Sequence, residues 1–292
     1  MSLTNPLFLS DQRTKVIYYG PEGQVRHLSG FGAGKEGYRL GVEPSELYFV
    51  DMELLYLEGA RQDGATYQDT VLAKREVDFE VQIAGDSARQ FSARNDAWWE
   101  SWSTREPGTL AIFSRYTGWR WIKVRLAGDI APKWGKDPVL IKACDYDMTV
   151  SADDPLYQSF REKALWKNTN GTGKGVLQVR NRGDHFGYPE YTMPGPGQYS
   201  IQDGPDGEML QLPAVPAGYT MYVNTHPQKL TIRTYNSVTG LDERLAWKGM
   251  KTKRFRHYLN PRSMNNIKVE VSGGNSNSQV FCSLVPRFYR PF

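Results

Sequence analysis

The chain has 292 residues, which is enough for about two domains of ordinary size. Hydrophobic residues make up 39% of it and aromatic residues 13%, so the composition excludes a disordered chain. The 28 glycines and 17 prolines favour a loop-rich fold built mainly from β-strands. Two cysteines, Cys144 and Cys282, are too few for a disulfide framework or a zinc site, and we expect reduced thiols, at least one of them buried.

Neither a signal peptide nor a membrane span is predicted. No basic residue precedes Arg13, and the apolar stretch at residues 6–9 is too short for a signal peptide. Later apolar runs are far shorter than the roughly twenty residues that a membrane helix needs. We therefore expect a soluble chain.

Charge is distributed unevenly along the chain. The net charge is +4, but residues 229–292 carry +9 and the residues before them −5. Opposite charges at separate places suit head-to-tail contacts between copies of one chain. From an acidic stretch in the first half and a basic run at 248–258, the candidate contact residues are Glu43, Glu46, Asp51, Glu53, Lys251, Lys253, Arg254 and Arg256. Alternatively, the basic run is the solvated edge of a hairpin, or it attracts phosphates or an anionic cell envelope.

The first half predicts an α+β arrangement in which one helix lies on a sheet. The predicted strands span residues 15–19, 25–28, 77–83, 110–115, 122–126 and 139–150. Between the second and third of them lies the acidic stretch, which has no clear period. Gly85-Asp86-Ser87 is predicted to cap a helix that ends at about Ser103.

Three tryptophans lie on or beside the predicted helix. Trp98 and Trp102 share a helix face with Phe91, which predicts that they belong to the core. Trp99 lies about a hundred degrees further round the helix. We therefore add Trp99 to the candidate residues for contacts between subunits or with a partner.

The second half has the pattern of an all-β domain. Short strands separated by proline and glycine are typical of a sandwich or jelly roll. The predicted strands span residues 176–179, 191–193, 199–201, 209–212, 220–223, 230–234, 267–271 and 279–285. Residues 168–175 have the composition of a flexible turn or linker. Residues 286–292 are interpreted either as an arm that docks on a partner or as a frayed end.

The sequence lacks the motifs of an enzyme or a metal protein. The glycine-rich stretch at 30–36 lacks the first glycine and the hydroxyl residue that a phosphate-binding loop needs, and the four histidines have no metal-ligand spacing. Asp145 and Asp147 share one strand face, as catalytic carboxylates can, although a solvated face is the commoner reason. We expect no enzymatic activity, no catalytic or metal-binding residue and no cofactor.

The order of motifs along the chain carries a resemblance to a known family. The first half ends in Asp154-Pro155-Leu156-Tyr157. The second half runs through Asn181-Arg182-Gly183, Pro189, an apolar strand at 191–193, Gly195-Pro196 and a glycine-led strand at 218–225. In this order the sequence resembles the distal tail proteins, a type of minor tail protein, of long-tailed phages, especially those that infect actinobacteria. The resemblance covers most of the chain.

This resemblance implies a mainly β structural virion protein of a siphophage. Residues 1–160 would form the ring-forming belt domain, with one helix on its sheet, and residues 161–292 a galectin-like β-sandwich. Six copies would close into a ring that connects the tail tube to the tail tip or baseplate. The implied partners are the tail tube protein, the tail-tip and hub proteins and the tape measure protein, with DNA only passing through the channel. The chain would be made in the host cytoplasm and would act in the virion, at the tail tip.

One alternative function stays open. The second domain could be a carbohydrate-binding module that contacts host cell-wall glycans, because its implied fold is galectin-like and the chain is rich in aromatic residues. Such a site needs polar residues beneath a tryptophan, and Trp166 and Trp247 are the tryptophans of that domain. Host surface glycans are thus a further candidate partner.

Overall fold

The chain folds into two compact units. The structure, a computed structural model, describes residues 13–41, 44–250 and 252–292. The first unit is Met1–Gln158 together with Tyr289–Phe292, and the second is Ser159–Phe288. Strands account for 48% of the chain and helices for 7%, so the mainly β class is confirmed. The boundary lies two residues before the expected one, and the last four residues return to the first unit.

The first unit is built around one antiparallel sheet. In chain order its elements are β1 (Lys15–Tyr19), β2 (Val25–Ser29), β3 (Tyr38–Leu40), β4 (Met52–Leu57), β5 (Thr66–Leu72), β6 (Arg75–Ala84), α1 (Ala88–Trp99), β7 (Gly108–Ser114), β8 (Gly118–Leu126), β9 (Ala131–Pro132), α2 (Pro138–Ile141), β10 (Ala143–Ala152) and β11 (Tyr157–Gln158). The sheet order is β2-β1-β7-β8-β10-β6-β3. Strand β9 pairs with β10 and strand β11 with β8.

Strand β6 shows why the alternating pattern predicts this sheet well. Val77, Phe79, Val81 and Ile83 are buried, and the polar residues between them face outward or lie at intermediate depth. The strand pairs with β10 over ten residues, from Ala84 opposite Ala143 to Arg75 opposite Ala152. One face of β6 therefore packs on the core, which is what a period of two predicts.

Helix α1 covers the core as predicted. The Ser87 hydroxyl accepts a hydrogen bond from the Gln90 N–H and caps the first turn. Trp98 is fully buried and its ring N–H points at the Met148 sulfur, 3.3 Å away, while Trp102 stacks on Tyr18 with ring centroids 3.8 Å apart. The helix ends at Trp99, before the expected Ser103, where the Ser101 hydroxyl donates to the Trp98 carbonyl of the last turn.

The strand predicted at 139–150 is wrong in its first residues. Pro138–Ile141 forms the short helix α2, and the strand begins at Ala143. The Asp137 carboxylate accepts hydrogen bonds from the N–H groups of Val139 and Leu140. Pro138 occupies the first turn, where its lack of an N–H group costs the helix no hydrogen bond. Lys142 closes the turn with a left-handed φ of 62°.

The second unit consists of two sheets around one core. Its elements are β12 (Glu162–Lys167), β13 (Lys174–Asn181), β14 (Glu190–Pro194), β15 (Gly197–Gln202), β16 (Met209–Val215), β17 (Tyr219–Asn224), β18 (Thr231–Asn236), β19 (Arg244–Leu245), a single 3-10 turn (Trp247–Met250), β20 (Ser263–Ser272), β21 (Gln279–Leu284) and β22 (Arg287–Phe288). One sheet has the order β12-β21-β14-β17-β18-β19 and the other β13-β20-β15-β16. Buried side chains from both sheets form one continuous cluster, which is the arrangement of a β-sandwich.

All eight strands predicted for this half are present, and one further strand precedes them. The charged segment Glu162–Lys167 is strand β12 and pairs with β21 over its whole length. Residues 168–173 are an ordered turn rather than a linker, because the buried Asn168 side chain accepts a hydrogen bond from the Gly173 N–H at 2.9 Å and donates one to the Asn275 carbonyl.

Within the described ranges, neither helix is long or apolar enough to cross a membrane.

Candidate assembly surface

The acidic stretch of the first unit forms a hairpin that stands apart from the main sheet. Strands β4 and β5 pair antiparallel, from Met52 opposite Leu72 to Leu57 opposite Thr66. Among the described residues, neither strand pairs with any other strand. The Ala73 N–H donates to the Asp51 carbonyl at 2.9 Å and closes the base of the hairpin. We call residues 52–72 the hairpin arm.

The hairpin arm exposes apolar side chains on both faces. All six residues of β4 are exposed, and in β5 only Thr70 and Leu72 are not. The exposed large apolar residues are Met52, Leu54, Leu55, Tyr56, Leu57, Tyr67 and Val71. An isolated two-stranded sheet is marginal in water, and a patch of this kind on a soluble chain marks a contact surface. The arm therefore has the properties of a segment that is covered by another molecule.

The predicted acidic contact residues lie on or beside this arm. Glu53 is on β4, Asp51 is at its base and Glu46 precedes it, and all three are exposed. Glu43 lies outside the described residues. Residues 51–72 contain five acidic side chains and one arginine, and none of the six makes an ion pair within the described residues. The arm thus combines an uncompensated negative charge with exposed apolar area.

A buried arginine fixes the chain just before and after the hairpin arm. Arg75, at the start of β6, is only 1% exposed and forms no ion pair with a carboxylate among the described residues. Its guanidinium instead donates at 2.7 to 3.0 Å to the carbonyls of Glu46, Leu47, Phe49, Pro155 and Tyr289. The central carbon of the guanidinium, Cζ, lies 4.9 Å from the ring centroid of Tyr157. Burial lowers the pKa of Arg75, and the five carbonyls compensate for the lost hydration of its charge.

The C-terminus takes part in the same anchor. Besides the Tyr289 carbonyl, the Arg290 carbonyl accepts a hydrogen bond from the Arg120 guanidinium at 2.7 Å. The ring of Phe292 meets that of Tyr48 edge-on at 5.2 Å. The last four residues therefore pack on the first unit of their own chain. The interpretation of this end as frayed is wrong for residues 289–292, and its interpretation as an arm that docks on a partner stays a prediction.

Trp99 is half-exposed at the end of α1, with 44% of its surface accessible. Its two neighbours in the predicted pattern, Trp98 and Trp102, are in the core. The exposure agrees with a contact role for Trp99, which stays a prediction.

In the described residues 248–250 and 252–258, the basic run is the end of a 3-10 turn followed by an irregular segment, so the alternative that it is the edge of a hairpin is wrong. Phe255 is buried in the sandwich core, and the buried Asp203 carboxylate accepts hydrogen bonds from the backbone N–H groups of Arg256 and His257. Lys253 is paired with Glu208 at 2.8 Å, whereas the side chains of Arg254 and Arg256 are exposed and form no ion pair with described residues. Lys251 lies outside the described residues.

A cleft beside this segment combines an aromatic ring with cations. Its volume is about 370 Å³, and it is lined by Pro227, Leu230, Trp247, Met250, Lys253 and Arg254. Trp247 is half-buried and packs against the core, while Trp166 is buried and not available to a ligand. Of the two tryptophans considered from sequence, Trp247 thus lines this cleft and Trp166 does not.

Residues suspected of chemistry are engaged structurally. Asp147 forms an ion pair with Lys133 at 2.8 Å, and Asp145 accepts a hydrogen bond from Gln82. Both cysteines are free and buried, as predicted, and burial raises the pKa of each thiol. Within the described ranges, no group of three potential ligands could hold a metal ion.

Taken together, the two units define a mainly β chain with the fold of phage hub and baseplate proteins. The SPP1 Dit protein, described as a paradigm of the hub adsorption apparatus in phages that infect Gram-positive bacteria, matches with a TM-score of 0.62 and 13% identity, over 94% of this chain and 99% of that chain. A chain of the phage P2 baseplate in its activated conformation with Ca gives 0.53 at 11% identity, over 94% and 98%. The corresponding structure with Sr gives 0.51 at 10%, over 92% and 97%.

By sequence, no protein-family model matches the chain, and no curated protein matches it.

Proposed function

We propose that this chain is a structural component of a phage tail tip, a distal tail protein of a siphophage, and that six copies form a ring. In this proposal the ring connects the tail tube to the tail tip or baseplate, and DNA passes through its opening. Tail tube, hub and tape measure proteins are its neighbours. The proposal includes infection of an actinobacterium by this phage, and this part of it rests on the sequence resemblance alone.

The observation that carries the proposal is the hairpin arm. An apolar, acidic, two-stranded sheet that pairs with no other strand in the described part of its chain is suited to contact with another molecule. A contact between two different surfaces of identical chains either closes into a ring or grows into a filament. The similarity of fold to hub and baseplate proteins, over almost the whole chain, favours the closed ring.

The proposal predicts the mass of the assembly. Native mass spectrometry of the gently purified full chain should show a species of six times the 33.2 kDa chain mass. The species should persist on dilution to low micromolar concentration, because an interface that covers several large apolar side chains is stable there. A chain that stays monomeric at high concentration, and also in isolated tails, would contradict it.

A second candidate function, carbohydrate binding by the second unit, is favoured by the Trp247 cleft. The apolar lining and the cation Arg254 near an indole ring suit an anionic sugar, because the sugar ring can stack on the indole and the charged group can pair with the guanidinium, while Lys253 is already paired with Glu208. In this proposal the cleft binds a host cell-wall glycan while the first unit forms the ring.

The cleft makes its own prediction. If it binds wall glycans, Trp247→Ala in the full chain should weaken binding on an array of charged wall polysaccharides at least tenfold, because the stacking surface is removed. Tyr116→Ala, which removes an aromatic side chain that is 88% exposed in the first unit, is the matched control and should leave binding unchanged. A blank array with the wild-type chain would retire this candidate and leave the ring proposal intact.

A further inference from the structure

A second exposed apolar feature of the first unit lies between β9 and β10. Trp134 is 73% exposed and Leu140 78%, and Val139 and Ile141 are each 48% exposed. Three of these residues are consecutive, and such a run is rare on a surface that faces only water. We call residues 133–142 the apolar turn.

The apolar turn is held rigidly. The Lys133 N–H donates to the Asp145 carbonyl at 2.8 Å, and the Lys142 carbonyl accepts from the Gly85 N–H at 2.9 Å, so both ends are tied to the unit. Between them, the Asp137 cap and the buried Pro138 fix the short helix α2. The exposed side chains are therefore presented in a defined arrangement, which lowers the entropic cost of binding them.

The charge of the apolar turn is opposite to that of the hairpin arm. Lys136 and Lys142 are exposed and form no ion pair with described residues, whereas Lys133 is already paired with Glu80 and Asp147. Asp137 is used as the helix cap. Two unpaired cations beside four apolar residues thus complement an arm with four carboxylates, one arginine and a row of leucines and tyrosines.

Contacts between two arms, or between two apolar turns, are unfavourable. Two arms facing each other would bring carboxylates together, and two apolar turns would bring lysines together, so a symmetric pair is disfavoured for both features. Both features are exposed in the chain itself, so neither covers the other within one copy. A contact between the arm of one copy and the apolar turn of another would place opposite charges next to each other and would bury the exposed apolar surface of both features.

We propose that the apolar turn of one copy is the docking site for the hairpin arm of the next copy. This inference rests on the proposed ring, and it names the two surfaces that meet at each contact. Because the arm and the turn are different surfaces, every copy docks its arm on one neighbour and receives the arm of the other neighbour on its apolar turn, as a closed head-to-tail ring requires. The basic run at 248–258 is the competing receptor, but it presents no comparable row of exposed apolar residues among those described.

Cross-linking of the full chain tests the pairing. In the double variant Leu57→Cys/Leu140→Cys, a short bis-maleimide should join copies into a ladder of covalent products that ends at six. Either single variant should give almost no product, because two arms or two turns do not meet. The native thiols are buried and give little background. The control double variant Leu57→Cys/Thr252→Cys places the second thiol on the exposed part of the basic run.

A ladder with the control and none with Leu57→Cys/Leu140→Cys would assign the arm to the basic run and overturn the inference. The absence of both ladders in a chain that is hexameric by native mass spectrometry would also overturn it, while the proposed ring would stand. If the wild-type chain does not assemble at all, the proposed function itself fails.

Charge reversal provides a second measurement that does not depend on introduced thiols. Lys136→Glu/Lys142→Glu should weaken assembly at least tenfold, and adding Glu53→Lys/Glu58→Lys on the arm should restore most of it. Weakening without any rescue would mean that these charges do not face each other and would count against the pairing.

Discussion

Replacing Arg75 with methionine is expected to unfold most of the first unit while the second unit stays folded. The variant removes the donors of five backbone carbonyls, which come from segments far apart in the sequence. A buried carbonyl that loses its hydrogen bond costs roughly 1–3 kcal/mol. Together the losses approach the total stability of an ordinary domain, about 5–15 kcal/mol.

Hydrogen exchange followed by mass spectrometry on the full chain measures this effect region by region. Peptides from residues 44–57, 75–84 and 143–158 should lose protection in Arg75→Met, whereas peptides from β13 and β20 should keep it. Arg75→Lys should show a smaller loss, because an ammonium group has three donors at one point and cannot reach all five carbonyls.

Arg89→Met is the matched control. Arg89 is an exposed arginine of α1, and its replacement should change stability by less than about 0.5 kcal/mol. Native protection throughout the first unit of Arg75→Met would contradict the role given to this arginine.

The second large effect is expected from the hairpin arm. The triple variant Leu54→Ser/Tyr56→Ser/Leu57→Ser should convert the assembly to monomers at concentrations where the wild-type chain is hexameric. Each of these side chains is worth roughly 1–3 kcal/mol when it is buried in an interface. Losing three of them at every contact should weaken association at least ~100-fold.

The stability of the single chain should change little in the same variant, because all three side chains are exposed in it. Mass photometry gives the assembly state, and differential scanning calorimetry under dissociating conditions gives the melting temperature. The control variant Val238→Ser/Leu241→Ser/Met264→Ser removes as many exposed apolar side chains from the second unit. An equal loss of assembly in both variants would mean that general surface polarity, and not the arm, governs association.

The sequence predicts elements well where one face of a strand is buried. Val77, Phe79, Val81 and Ile83 alternate with polar residues because β6 has a core side and a water side, and the eight predicted strands of the sandwich follow the same pattern. The hairpin arm is not predicted, because neither of its faces is buried. Both of its faces are exposed in the isolated chain, so its residues show no period of two.

The sequence does not predict the Arg75 anchor or the short helix α2, for different reasons. A lone arginine before a strand gives no signal of burial, since its five acceptors are backbone groups that only the folded chain brings together. The helix had a usable signal, an Asp137 cap followed by Pro138 at the first turn. Its apolar residues continue directly into those of β10, and this pattern favours one long strand.

The central claim, that identical copies close into a ring through the first unit, is tested most directly by single-particle electron microscopy of the assembled full chain. The account predicts closed six-fold rings with an open centre, in which the hairpin arm of each copy lies on its neighbour. Isolated particles of one chain, with the arm and its carboxylates facing solvent and no neighbouring copy, would contradict it.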